Sequence, residues 1–132
     1  TVASGASGDA DSNQDENDCA LVAIVTLGGE RFLLPGDVEG EALDAVVDGG
    51  FAAVELPHHG SAGGFTDGLL ADLAPRVAVV SVGPNSYGHP TGEALEQLRA
   101  VGVACLRTDR QGDIAFSLGT GGAVLCTAAA AP

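Results

Sequence analysis

Four side chains in this sequence have the types and spacing of a metal or phosphate site. They are Asp37, His58, His59 and His89, and the three histidines are the only ones in the chain. Each follows an apolar run typical of a β-strand, so each occupies a strand-to-loop exit. Imidazole and carboxylate groups are common ligands of zinc. The pattern predicts that loops at one edge of a sheet bring these side chains together.

The adjacent pair His58 and His59 is the most specific of these signals. Neighbouring side chains of a strand point to opposite faces, so packing explains two adjacent histidines poorly. Gly60, which follows the pair, lets the backbone approach a ligand closely. Simpler interpretations remain for the others taken singly: Asp37 as a helix N-cap, and His89 as part of a turn.

The composition describes one small and strongly acidic domain. The chain has 132 residues, enough for one core but not for two. Its net charge of −13 repels nucleic acid at long range, so a polyanionic substrate requires a local positive charge, which a divalent metal ion supplies. Cys19, Cys105 and Cys126 lack CxxC spacing. We interpret them as buried small apolar residues, with a disulfide bond between the last two left open.

The spacing of apolar residues predicts an α/β layered protein with the order ββαβαβαβββ. Residues 1–16 are expected to be a flexible acidic loop or tail, residues 17–127 the domain, and residues 128–132 a frayed tail. Predicted strands cover 20–27, 31–34, 52–56, 77–82, 103–106, 114–118 and 123–126. Predicted helices cover 39–48, a segment through 69–73 capped by Thr66 or Asp67, and a segment after the cap Thr91. We expect helices on one sheet face and the other face exposed or covered by a partner.

Five separate segments match one known family pattern in order and spacing. They are Asn17 to Val22, Gly36-Asp37, Leu56 to Ser61, Ser81 to Pro90, and Arg107 to Gly112. They resemble the metallo-β-lactamase-like domain of the ComEC family of competence DNA-uptake proteins. The family's hallmark His-x-His-x-Asp-His cluster is absent from this chain and lies upstream in that fold. The resemblance therefore implies the C-terminal half of an αββα fold.

The resemblance also implies a metal site with two divalent ions, zinc or manganese, in the complete domain. Asp37 matches the catalytic carboxylate that bridges the ions. His59 matches the late histidine ligand of the second ion, and His58 is the less favoured choice. Chemistry of this class uses the ions to polarise a phosphodiester and to activate water.

Substrate-binding residues follow from the same resemblance. Asn17 matches a position that lines the metal cleft, and Ser61, Asn85, Tyr87 and His89 match loops that hold the substrate phosphate. His89 is also an implied catalytic residue, which stabilises developing charge or protonates the leaving oxygen.

The function implied by the resemblance is a metal-dependent phosphodiesterase or nuclease domain of a competence DNA-uptake protein. Its implied partners are DNA, the upstream half of its own domain, and the membrane channel portion of the longer protein that contains this chain, here called the parent. The implied location of the domain is the outer side of the plasma membrane. Residues 1–132 alone are expected to be inactive, because the ligand set is incomplete. Two other functions stay open: a non-catalytic interaction or structural domain, and a hydrolase of small phosphate esters.

Overall fold

Three stretches of the chain, residues 2–4, 19–120 and 124–129, are described by the computed structural model. The strands are β1 (Val2–Ser4), β2 (Leu21–Leu27), β3 (Glu30–Leu34), β4 (Ala53–Glu55), β5 (Val77–Val80), β6 (Ala104–Arg107), β7 (Asp113–Leu118) and β8 (Val124–Ala129). The helices are α1 (Gly40–Asp44), α2 (Leu69–Leu73), α3 (Gly92–Ala100) and α4 (Thr108–Gln111), with a 3₁₀ turn at Pro57–His59. This is the α/β layered fold that the sequence predicts. None of the helices in these stretches is long and apolar enough to cross a membrane.

The main sheet has six strands in the order β1-β2-β3-β4-β5-β6, and β7 pairs with β8 in a separate sheet. The first three strands are antiparallel, and β3 to β6 are parallel neighbours. The β2–β3 hairpin turns at Gly28 and Gly29, whose φ angles of 57° and 87° suit a two-residue hairpin turn. Since parallel strands end at the same edge, the segments after β3, β4, β5 and β6 all begin at one edge of the sheet.

One face of the main sheet packs against the helices. Leu33, Val54 and Ala78 are buried and pair across β3, β4 and β5. The same apolar cluster contains leucines of α1, α2 and α3: Leu43, Leu69, Leu70, Leu73 and Leu98. Full burial of one such side chain contributes about 1.5–3 kcal/mol, so this layer fixes the strands whose ends carry the predicted site.

The opposite face is covered in part by the chain itself. The β7–β8 hairpin contacts it, with the Phe116 ring 5.6 Å from the Phe32 ring. The sequence did not predict this cover. Other apolar side chains of the face remain exposed: Leu21, Val25, Leu27 and Leu34. They share the face because alternate residues of β2 point to one side and Val25 pairs with Phe32.

The end of α1 depends on a long-range contact. Apolar spacing predicts a helix to residue 48, but α1 ends at Asp44. The Arg31 side chain donates to Asp48 Oδ1 at 2.5 Å and to the Gly49 carbonyl at 2.8 Å. These bonds hold the segment against β3, and the helix prediction is wrong there.

The caps of the other two helices differ in how well the sequence predicts them. α2 begins after Gly68 with no side-chain cap, so the prediction of Thr66 or Asp67 as its cap is wrong. α3 begins after Thr91, whose Oγ1 accepts a hydrogen bond from the Ala94 amide at 3.2 Å. This cap is confirmed, because it depends only on residues close in sequence.

Strand pairing extends into both predicted tails. Val2–Ser4 forms β1, with Val2 opposite Ala23 of β2. β8 runs to Ala129, which pairs with Asp113. The tail predictions are therefore wrong for residues 2–4 and 128–129, because pairing with a neighbouring strand outweighs local composition. The rest of both predicted tails lies outside the described residues.

The three cysteines are free thiols, so no disulfide bond joins Cys105 to Cys126. Cys19 is exposed, and its interpretation as a buried small residue is wrong. Cys105 and Cys126 are partly buried, and burial raises the pKa of both thiols.

Candidate functional site

The first two loops of the site meet directly after their strands. β3 leads into the Gly36-Asp37 turn, and β4 leads through Leu56 into the histidine pair. The His58 amide donates a hydrogen bond to the Gly36 carbonyl at 2.9 Å. Asp37 is partly buried and directly follows Gly36, so it lies next to a residue whose backbone contacts the histidine pair.

Both histidines of the pair have left-handed backbone conformations. The φ angle is 44° at His58 and 57° at His59, within the 3₁₀ turn that begins at Pro57. Residues other than glycine rarely adopt this region, and such strain concentrates at functional sites. β4 has already ended at Glu55, so the two side chains do not alternate across a sheet.

Gly60 allows the third loop to close on the pair. The Thr91 amide donates to the Gly60 carbonyl at 2.9 Å, and a Cβ atom at Gly60 would lie 2.7 Å from the Pro90 Cβ. The φ angle of 84° also favours glycine. The loop that carries His89 is thereby held against the histidine pair.

The three imidazole rings form one cluster. The ring centroids of His58 and His89 are 5.4 Å apart, and those of His58 and His59 are 6.3 Å apart, both in edge-to-face arrangements. The structure thus brings together all three histidines that the sequence singled out.

The His59 ring is oriented by a backbone carbonyl. Its Nδ1 atom lies 2.8 Å from the Ser81 carbonyl oxygen. A carbonyl only accepts hydrogen bonds, so Nδ1 carries a proton, and in the neutral imidazole Nε2 then keeps its lone pair. Metal-binding histidines commonly make this second hydrogen bond. The exposed His59 ring is therefore arranged to bind a metal ion, or to accept a proton, through Nε2.

Thr108 holds the strand end that carries Ser81. Its Oγ1 accepts from the Val82 amide at 2.8 Å and donates to the Val82 carbonyl at 2.7 Å, with the Val80 carbonyl 3.3 Å away. These bonds tie the end of β5 to the start of α4. Thr108 lies in the matched segment Arg107 to Gly112, but the sequence did not indicate its role.

Glu39 lies beside His58, and the sequence analysis missed it. Its Oε2 is 3.4 Å from His58 Nδ1. Glu39 Oε1 and His58 Nδ1 are both buried and have no hydrogen-bond partner among the described residues. Because His58 belongs to the histidine cluster, this contact makes Glu39 part of the candidate site.

Glu55, the last residue of β4, is a further carboxylate that the sequence analysis missed. Burial raises the pKa of its carboxyl group, nearby His59 lowers it and Asp37 raises it. Glu55 therefore lies within electrostatic range of two predicted metal ligands. The available signal was an acid inside the otherwise apolar strand 52–56.

The loop after β5 is organised by Asn85. Its Oδ1 accepts from the amides of Tyr87 and His89, both at 3.1 Å. Its Nδ2 donates to the carbonyls of Gly83 at 3.0 Å and His89 at 2.8 Å. These four bonds use the donors and acceptors of the side-chain amide. Asn85 therefore shapes the loop, and its contact with a substrate stays a prediction.

A cleft of about 470 Å³ opens beside the histidine cluster. The loops after β4, β5 and β6 line it: His59, Ser81, Val82, Gly83, Pro84, Asn85, Tyr87, His89 and Thr108. None of these residues has a carboxylate, although the whole chain has a net charge of −13. The size of the cleft suits a small ligand or one unit of a polymer.

Of the predicted substrate residues in the described part of the chain, Ser61 lies apart from this cleft. Its buried Oγ has no hydrogen-bond partner among the described residues. Asn17 lies outside the described residues, so its place at the site stays a prediction.

The described residues do not complete a metal centre by themselves. In residues 2–4, 19–120 and 124–129, no group of three or more His, Cys, Asp or Glu side chains is arranged to hold a metal ion. A catalytic zinc ion typically has about three protein ligands. His59 suits one ligand position, and Asp37 lies nearby, but the set is too small for a catalytic centre built from this part of the chain alone.

Comparison with known proteins gives two relatives, and no protein-family model matches the chain. The chain is 36% identical over 116 residues to Competence protein ComA of Neisseria gonorrhoeae, a match that covers 83% of this chain and 17% of that protein. It is 31% identical over 106 residues to ComE operon protein 3 of Bacillus subtilis (strain 168), covering 76% of this chain and 14% of that protein. The chain thus spans less than a fifth of the length of the curated relatives it matches. These matches support a place for the chain in a competence DNA-uptake family.

Proposed function

We propose that this chain forms part of a metal-dependent phosphodiesterase site that cleaves DNA within a longer competence protein. The observation that carries the proposal is the histidine cluster beside the Gly36-Asp37 turn. His59 has its Nε2 lone pair available because Nδ1 is bonded to the Ser81 carbonyl. The names of the two relatives supply the biological setting, which is competence.

Residues of this chain supply a partial ligand set in the proposal. His59 offers Nε2, and Asp37 offers a carboxylate close to the pair. The remaining ligands come from another segment of the parent, because the described residues contain too few. When bound, divalent zinc or manganese polarises a phosphodiester and makes water nucleophilic near neutral pH. His89, in the loop held against the pair, stabilises negative charge on the phosphate or protonates the leaving oxygen.

A segment of the same parent also covers the exposed apolar sheet face in our proposal. Leu21, Val25, Leu27 and Leu34 are 42–58% exposed on one face. Contiguous exposed apolar side chains mark interaction surfaces. The relatives are long enough to supply such a cover, since this chain matches less than a fifth of each. The parent would place this site outside the plasma membrane, next to a membrane channel.

The proposed covering of this sheet face by another segment of the parent can be tested with a dye that fluoresces on apolar surfaces. Residues 1–132 should bind 1-anilinonaphthalene-8-sulfonate, and the double change Leu21→Ser and Leu27→Ser should reduce that binding. Val101→Ser, at an exposed apolar residue on the end of α3, should not. The longer protein should bind less dye per molecule than residues 1–132; equal binding would contradict the cover.

The catalytic proposal is tested by comparing two lengths of protein. Residues 1–132 should show no DNA cleavage with Mn²⁺ or Zn²⁺, because the ligand set is incomplete. A longer parent that contains the missing ligands should cleave DNA, and the cleavage should stop when the metal is chelated. Asp37→Ala in that parent should abolish cleavage without lowering the melting temperature. Asp67→Ala, at an exposed acid outside the cleft, is the matched control and should keep full activity. An Asp37→Ala parent that cleaves at the wild-type rate would refute the assignment.

A non-catalytic interaction domain is the second candidate. The observation that favours it is the small number of grouped metal ligands in the described residues, together with the net charge of −13. This candidate predicts that the longer parent binds no stoichiometric metal after dialysis and cleaves no DNA. Metal analysis of the purified parent therefore separates the two functions.

A further inference from the structure

Tyr87 is an exposed aromatic side chain at the rim of the cleft. It is the only tyrosine in a chain that has no tryptophan, and it is 84% exposed. Its ring centroid lies 6.3 Å from that of His89. Packing within the described chain does not account for a large aromatic ring that is so exposed beside the histidine cluster. A bound ligand that covers the ring would account for its position.

The ring stands on a loop with fixed geometry. The Asn85 side chain makes four hydrogen bonds to the backbone of Gly83, Tyr87 and His89. One of these is to the Tyr87 amide itself, at 3.1 Å. A surface held in place loses little conformational freedom on binding, and this favours affinity.

The side chains that line the cleft are compatible with a nucleotide. The cleft lining contains no carboxylate, whereas the chain as a whole is strongly acidic. His89 lines the same cleft, and its imidazole can donate a hydrogen bond to a phosphate. Long-range repulsion by the remaining surface weakens binding through phosphates alone. Stacking of a base on an aromatic ring does not depend on net charge, so it can supply the missing affinity.

We propose that Tyr87 is the stacking platform for an unpaired base of single-stranded DNA, with the adjoining phosphate directed toward the histidine cluster. This inference rests on the proposed function and deepens it, because it names single-stranded DNA as the substrate form. In a duplex both faces of an interior base are covered by its neighbours, so duplex DNA offers Tyr87 no free base face. A single strand exposes its bases and can place one on the ring.

The fluorescence of Tyr87 provides a direct test. Because the chain has one tyrosine and no tryptophan, its intrinsic emission comes from Tyr87 alone. An oligothymidylate of about 12 nucleotides, within the usual range of single-strand sites, should quench this emission in a saturable manner. An abasic oligomer of the same length keeps the phosphates but has no bases, and it should not quench. A blunt duplex of equal length should quench much less, and thymidine monophosphate should bind more weakly than the oligomer.

Substitutions separate stacking from other contacts. Fluorescence polarisation of a labelled oligothymidylate should show about 5- to 150-fold weaker binding for Tyr87→Ala, the range expected for loss of one stacked base. Tyr87→Phe keeps the ring and should bind within about twofold of the wild type. Val101→Ala removes an exposed apolar side chain that does not line the cleft and is the matched control.

Each alternative outcome overturns the inference. These outcomes are no quenching of the absorbance-corrected emission by oligothymidylate, equal quenching by the abasic oligomer or the duplex, or an unchanged affinity of Tyr87→Ala. The binding assay uses no metal and measures no cleavage. A parent that fails to cleave DNA would refute the proposed function without affecting the quenching result, so the two failures are distinguishable.

Discussion

Replacing Thr108 with valine should loosen the strand ends that hold the candidate site. Valine has nearly the same shape as threonine but lacks Oγ1, which accepts from the Val82 amide at 2.8 Å and donates to the Val82 carbonyl at 2.7 Å. A net contribution of about 1 kcal/mol for each bond gives an expected loss of about 2 kcal/mol in the free energy of unfolding. An unfolding entropy of about 2.1 cal/mol/K per residue converts this loss to a fall of about 7 °C in Tm for 132 residues.

Urea denaturation followed by circular dichroism, together with a thermal scan, measures this loss. Thr108→Ser keeps the hydroxyl and should retain most of the stability. Thr26→Val makes the same chemical change at an exposed position on β2 and should stay within about 0.5 kcal/mol of the wild type. If Thr108→Val is as stable as Thr26→Val, the hydroxyl does not hold the end of β5 and our reasoning about Ser81 fails.

Two further predictions concern Gly60 and Glu55. Gly60→Ala should lower the free energy of unfolding by about 1–3 kcal/mol, because its Cβ would lie 2.7 Å from the Pro90 Cβ at a φ of 84°. Gly63→Ala is the control, since a Cβ there meets no atom within 4 Å. Urea denaturation compares the two variants, and equal stability would contradict the close approach at Gly60. Burial raises the folded-state pKa of Glu55, so its contribution to stability is present below its ordinary value of about 4.5 and is lost as the pH rises through the raised value. Glu55→Gln should therefore flatten this loss in urea midpoints between about pH 4 and pH 8, and an unchanged pH profile would show that the carboxyl group is not perturbed.

Many elements of the fold could be predicted because their causes are local. The apolar run 77–82 contains β5, which is buried between layers. Gly28 and Gly29 define the β2–β3 turn, and Thr91 caps the helix that follows it. Each signal needs only neighbours within a few positions, and β2 to β7 begin and end within about two residues of the predicted limits.

The failed predictions share a dependence on distant partners. α1 stops early because Arg31, on another strand, binds Asp48 and Gly49. β1 forms where composition indicated a flexible tail, because β2 pairs with it. The β7–β8 hairpin covers part of a face predicted to be exposed or covered by a partner, through the contact of Phe116 with Phe32. No local pattern encodes these partners, since they lie far apart in the chain.

The candidate site also has features that depend on local sequence and features that depend on distant partners. The residue types and motif spacing by themselves determined that Asp37 and three histidines follow strands, and parallel strands bring such loops to one edge. Only the tertiary structure decided the rest: the orientation of His59 by the Ser81 carbonyl, the contact of Glu39 with His58, and the use of Asn85 inside its own loop. The physical reason is that a side chain's chemical type is written in the sequence, whereas its hydrogen-bond partner and its burial are set by whatever segment the fold places against it.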